Sequence, residues 1–190
     1  MRVWRISSAR HASFDGEGAR LYGSRWTPRG VPAVFTSATL SLAVLERFVH
    51  TGSDVDVSDL VAIPVEISDD IRIDAVALKH LPADWRAFPV PPSLMRIGQR
   101  WLESSQTAVL TVPSVVIPHE RNVLFNPRHP DFANLGVGRA EPFCFDPRMS
   151  KKDVNEHTNG IQVHASIARS AGSDENLTRN LPPLFRVKPI

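Results

Sequence analysis

One cysteine, one tyrosine and, ahead of position 149, one lysine are all that this 190-residue chain holds of three common residue types. The single Cys144 excludes an internal disulfide framework and any cysteine-rich zinc site. Long apolar runs are missing too: Arg, Asp, Pro or His interrupts every stretch before it reaches the about 18 residues a membrane-spanning helix needs. Met1 to Arg10, MRVWRISSAR, has no apolar segment of the signal-peptide kind, so a cytoplasmic protein with no membrane role is expected. Three familiar sites also fail. Gly16-x-Gly18 has Leu21 where a dinucleotide fingerprint needs its third glycine, and no G-x-S-x-G elbow occurs. His119-Glu120 is followed by Val123 where a zinc-protease helix places its second histidine, so no metal is expected.

A pI near 9.0 invites a nucleic-acid reading. Residues 1–148 nevertheless hold 16 Lys and Arg against 16 Asp and Glu, and the excess sits in 149–190, with 6 against 4. A neutral body without a basic run argues against direct nucleic-acid binding. The same boundary appears in composition, because all four tryptophans and Tyr22 precede it while three of the four lysines follow it. Residues 1–148 therefore read as one domain, and 149–190 as a polar, poorly ordered extension, or one foreign to the domain, whose removal should leave the core intact.

Within the body, strand-like and helix-like periods alternate, which predicts an α+β class with a single compact mixed sheet. Val31–Thr36 and Leu60–Ile67 read as extended, and Pro64 marks the second as an edge strand. Ser37 is the expected N-cap of a helix through His50, and Ser93 that of a helix carrying Leu94, Ile97, Gly98, Trp101 and Leu102 on its core face. Thr107–Val112, Val115–Ile117 and Asn122–Phe125 are short β-rich runs divided by Pro113 and Pro118.

The polar residues that remain have ordinary explanations. Arg25 beside Trp26 reads as a solvated arginine on an indole. At about 100° per residue Glu46 falls opposite the Leu40–Val44–Phe48 stripe, on a solvated helix face. Ser114 after Pro113 reads as a turn hydroxyl, and Asn126-Pro127 and His129-Pro130 as turns. Periodicity and composition alone assign no catalyst.

Taken together and in order, however, the segments VWRI, GARLYGSRWTPRGVPAVFTS, LSLAVLERFVH and VPSVVIPHERNVLFNPRHPDF resemble the RES-domain family, named for its arginine, glutamate and serine. The resemblance covers about residues 3–146 and places the family's three residues at Arg25, Glu46 and Ser114. It implies an ADP-ribosyltransferase-like fold and a toxin of a toxin–antitoxin pair that degrades NAD⁺. The nicotinamide–ribose bond would be cleaved with water or phosphate as acceptor. NAD⁺ is then the substrate and no cofactor is implied. An Xre-type helix-turn-helix antitoxin is the implied partner, and a homodimer stays open. The same resemblance implies substrate contacts from Arg5, Phe35, Asn122 and Asn126. Phe35 stands where the family usually has tyrosine, which leaves a stacking surface without a phenol oxygen and implies reduced activity. Two other readings stay open: a protein ADP-ribosyltransferase using the same three residues, and a catalytically silent antitoxin-binding protein.

Overall fold

The computed structural model describes residues 1–50 and 59–149. The extension expected over 149–190 lies, but for its first residue, outside the described residues. Eight strands form one sheet: β1 (Arg2–Ser8), β2 (Val34–Ser37), β3 (Leu60–Glu66), β4 (Ile73–Ala75), β5 (Val109–Pro113), β6 (Arg121–Phe125), β7 (Gly136–Val137) and β8 (Glu141–Pro142). Three α-helices accompany them: α1 (Glu17–Tyr22), α2 (Leu40–His50) and α3 (Pro92–Ser104). The strand order is β4-β5-β6-β2-β1-β3-β7, with β8 also on β3, and only the β4–β5 pair is parallel. This is the mixed α+β sheet that the alternating periods predict. Met1–Phe145 forms one compact unit.

Period-two alternation divides the sheet's side chains between two faces. Val3, Val34, Val65, Val109, Val123 and Phe125 gather on one, with Phe14 and Phe132 packed against them. Leu110, Val112 and Leu124 lie on the other, under Leu94, Trp101 and Leu102 of α3 and under Trp26. The stripe expected on α3 is thus the buried one, and each such large apolar side chain contributes about 1.5–3 kcal/mol on burial. Gly98 sits in that stripe because the Trp26 carbonyl approaches so closely that a Cβ would lie 2.0 Å from its oxygen.

Pro64 behaves as an edge residue in a specific way. β3 pairs with β1 along its whole length, and its outer side carries only the two-residue strands β8, at Val61 and Ala62, and β7, at Val65 and Glu66. Pro64 lies between them, where its missing N–H faces outward and its carbonyl accepts from Gly138 N at 2.8 Å.

Three local expectations are corrected. Ser37 ends β2, and the cap of α2 is Thr39, whose Oγ1 accepts from Leu42 N at 3.1 Å. Ser93 caps nothing; α3 opens on Pro91-Pro92, with Pro92, which has no N–H to leave orphaned, in its first turn. Val115–Ile117 is no strand: the chain bends there because Ser114 Oγ accepts from Val116 N and Ile117 N, at 3.1 and 3.0 Å.

Candidate active site

A carboxyl group held between a helix and two strand ends forms the centre of the site. The apolar residues of α2, LSLAVLERFVH, run around most of the helix, so two faces compete for the core. Leu42 and Ala43 win: they are buried, α2 packs on β1 and β2, and Glu46 shares their side with its side chain 19% exposed. The expectation of a solvated Glu46 is therefore corrected. The opposite stripe is covered by the end of the domain instead, where Phe48 meets Phe145 edge-on at 5.8 Å and Phe145 meets Phe143 at 5.6 Å.

A partly buried carboxyl group needs donors, and two converge on one oxygen. Glu46 Oε1 accepts from Ser114 Oγ at 2.7 Å and from Asn122 Nδ2 at 2.6 Å. Ser114 has no freedom to do otherwise. Its side chain is fully buried, and both lone pairs of its hydroxyl accept backbone N–H groups, so its proton goes to Glu46. Asn122 reaches the site because β2 pairs with β6 in the register Ser37↔Asn122. The loop carrying Ser114 is tied to α2 through Thr39 Oγ1, which donates to Glu120 Oε2 at 2.8 Å. Oε2 of Glu46 faces His50 Nε2, one turn along the helix, at 3.9 Å.

Arg25 enters from the loop after α1. Its Nη1 donates to the carbonyls of Trp85 and Ala87 at 3.0 and 3.1 Å, which anchors one corner of the guanidinium. Among the described residues Nε and Nη2 have no partner, so the rest of the fork is available to a ligand. Burial pulls Arg25 below the usual arginine range, and the charge of Glu46 acts against that shift. The buried neighbour Trp26, seated on Gly98, fixes the backbone from which Arg25 projects.

The structure thus brings Glu46, Ser114 and Asn122 into direct contact and Arg25 within electrostatic reach. Phe35 lies on the same sheet face as Asn122, opposite Leu124, and packs half-buried on the α3 side of the core. Arg5 belongs elsewhere. Register places Trp4 with Ser37, so Arg5 points to the other face, where its guanidinium donates to Ser13 O and His11 O and lies 5.9 Å above the Phe14 ring. Burial lowers its pKa, opposed by Asp15. Asn126 is 1% exposed, bridging Leu102 O and Arg128 N. Ser37, His50, Thr39 and the 85–87 carbonyls were not foreseen as parts of the site. Strand register and loop packing place Ser37, Thr39 and the carbonyls without a signal in the sequence, whereas the i, i+4 spacing of Glu46 and His50 on one helix is such a signal.

The chain is similar to known proteins over nearly the whole of this domain. A Photorhabdus laumondii protein called Toxin Res is 40% identical over 155 residues, covering 80% of this chain and 98% of its own. A Sphingobium protein called Prs ADP-ribosylating toxin is 35% identical over 155 residues, covering 78% and 96%. In the solved M. tuberculosis MbcT–MbcA toxin–antitoxin complex, one chain shares the fold with a TM-score of 0.63 at 14% identity, over 75% of this chain and 84% of that one. The RES domain model itself matches residues 2–146, from the first strand to the end of the aromatic cover over α2, and the chain belongs to the RES domain family.

Proposed function

We propose that this protein is a toxin-type enzyme that destroys NAD⁺ by cleaving its nicotinamide–ribose bond. The observation that carries the reading is Glu46, whose carboxyl group is fixed through one oxygen by Ser114 and Asn122 while the other has only the exposed His50 imidazole, 3.9 Å away. Nicotinamide is attached as a pyridinium, so when the C1′–N bond breaks its electron pair returns to the ring and a neutral molecule departs. No general acid is needed. Positive charge grows on the ribose instead, and a carboxylate held near C1′ and the 2′-hydroxyl stabilises it, as glycosidase carboxylates do. Water or phosphate then adds at C1′ and loses a proton, giving ADP-ribose or its 1″-phosphate.

Arg25 would hold the pyrophosphate with the free side of its fork, keeping the dinucleotide still while its other half reacts. Phe35 would stack on the nicotinamide ring. Ser114 acts through Glu46, because its hydroxyl is buried and fully used within the chain. An antitoxin is the expected partner, as the solved toxin–antitoxin complex of a protein with this fold supports, and its Xre helix-turn-helix type is what the family resemblance implies.

The name of the Sphingobium relative favours a second reading, transfer of ADP-ribose to a protein by the same residues. NAD⁺ labelled in its adenylate separates the two. The proposal expects free ADP-ribose without phosphate, and the 1″-phosphate if phosphate competes; label retained on protein would favour transfer. Absence of nicotinamide release at any enzyme concentration would leave a silent antitoxin-binding protein.

A further inference from the structure

The Asn122 amide that donates to Glu46 is held at its oxygen end by a residue that does not touch the carboxylate. Ser37, the last residue of β2, is 4% exposed and donates through Oγ to Asn122 Oδ1 at 2.8 Å. An asparagine amide can flip by 180°, exchanging a donor for an acceptor with almost no change of shape. In the flipped state Oδ1 would face Glu46 Oε1, oxygen against oxygen, and the Ser37 hydroxyl would have to turn from donor to acceptor to meet the NH₂ group. Glu46 selects the orientation that donates to it, and Ser37 holds the amide there by its oxygen end.

We propose that Ser37 is a positioning residue that acts through Asn122 on Glu46, completing a relay Ser37–Asn122–Glu46–Ser114 that clamps one carboxyl oxygen and leaves the other for the reaction. This rests on the NAD⁺-cleaving reading for its kinetic consequence, but not for the relay itself. Two independent parts of the fold supply the two donors. The β2–β6 register delivers Asn122, and the bend after β5 delivers Ser114. Each converges on the same oxygen, at 2.6 and 2.7 Å, which fixes the carboxyl plane as well as its position. Such pre-set geometry matters most in the transition state, so losing it lowers kcat more than it weakens substrate binding.

The neighbouring residue provides an internal control. Thr36 is also 4% exposed and also donates across the β2–β6 pair, to Val123 O at 2.9 Å, but on the opposite face of the sheet. Thr36→Val and Ser37→Ala each remove one buried hydroxyl hydrogen bond from the same strand, so both lower stability by a similar amount. Only Ser37→Ala breaks the relay.

The test pairs kinetics with a measurement that needs no turnover. In nicotinamide-release assays, Ser37→Ala is expected to lose about 10-fold in kcat, the worth of one hydrogen bond in the relay, with KM for NAD⁺ changed less than about 2-fold. Ser37→Thr, which keeps the hydroxyl, should recover most of the rate, and Thr36→Val should retain it. Equal kcat for Ser37→Ala and Thr36→Val would overturn the proposal. In ¹H–¹⁵N spectra, the Asn122 side-chain amide should shift on Glu46→Gln substitution in the parent, and its two proton signals should lose that response in Ser37→Ala. An Asn122 amide indifferent to Ser37→Ala would overturn the relay even if the kinetics agreed. Should the parent release no nicotinamide, the functional reading fails, and the spectra decide the relay alone.

Discussion

The two ends of β6 each place an asparagine, four residues apart in RNVLFN, and the fold uses them in opposite ways. Asn122, at the entry of the strand, is half-buried, takes a hydrogen bond from Ser37 and gives one to Glu46. Asn126, just past its end, is closed off from solvent and spends its amide on Leu102 O and Arg128 N. One end of the strand faces a polar site and the other plugs a seam between α3 and the turn that follows. Neighbouring polar residues in a motif therefore do not share a role by proximity in sequence. The partners that the fold delivers decide the role.

The same division separates the two arginines. Arg25 keeps part of its guanidinium unbonded within electrostatic reach of Glu46, whereas Arg5, on the other sheet face, is tied to backbone carbonyls of the segment that follows its own strand. Arg25→Ala is expected to lose about 10²-fold in kcat/KM for NAD⁺ with little change in melting temperature. Arg25→Lys should recover only part of it, since an ammonium cannot reproduce the fork. An equal or greater loss of activity per folded molecule in Arg5→Ala would break the comparison between the faces.

The asparagine pair gives the next largest effect. Asn122→Ala removes a hydrogen bond to a charged group, about 1.5–3 kcal/mol, and should lower kcat by about 10- to 100-fold. Asn126→Ala leaves a buried carbonyl and a partly buried N–H without their partner, so it should cost about 1–3 kcal/mol of stability while the surviving folded enzyme keeps its turnover. Thermal melts and nicotinamide release on the same samples read both. A kcat defect in Asn126→Ala comparable to that of Asn122→Ala would show that the two ends are not distinct.

How far the site could be read in the chain follows from these contrasts. The α3 stripe was legible because a single apolar face at helical spacing has only one way to be buried. α2 was not, since Leu42, Ala43 and Val49 oppose Leu40, Val44 and Phe48, and only the aromatic cover from Phe143 and Phe145 settles which stripe turns outward. Glu46 was misplaced for that reason. Ser114 read as a turn hydroxyl, and it is one; its remaining proton is what serves Glu46. Ser37 was invisible as a partner of Asn122, because the register that aligns residues 85 apart is a property of the sheet.

The smallest expected change concerns the wall of the site. Phe35 shares the sheet face of Asn122 and stands where the family resemblance implies a tyrosine. If a phenol oxygen there helps to orient the carboxamide or Glu46, Phe35→Tyr should raise the cleavage rate, by about 10-fold at saturating NAD⁺. Equal rates would restrict Phe35 to stacking and leave the polar end of the site to Glu46 and its donors.

The central claim is that the carboxyl group held by Ser114 and Asn122 performs the cleavage, and Glu46→Gln tests it most directly. The amide keeps the size of the side chain and an oxygen for both donors but removes the charge that would stabilise the ribosyl cation. Pure parent and Glu46→Gln proteins, matched for circular dichroism and melting temperature, are incubated with NAD⁺ and the nicotinamide released is followed by chromatography. The account predicts many turnovers from the parent and a rate lower by at least about 10²-fold from the variant. Nicotinamide release from Glu46→Gln at the parent rate would contradict it.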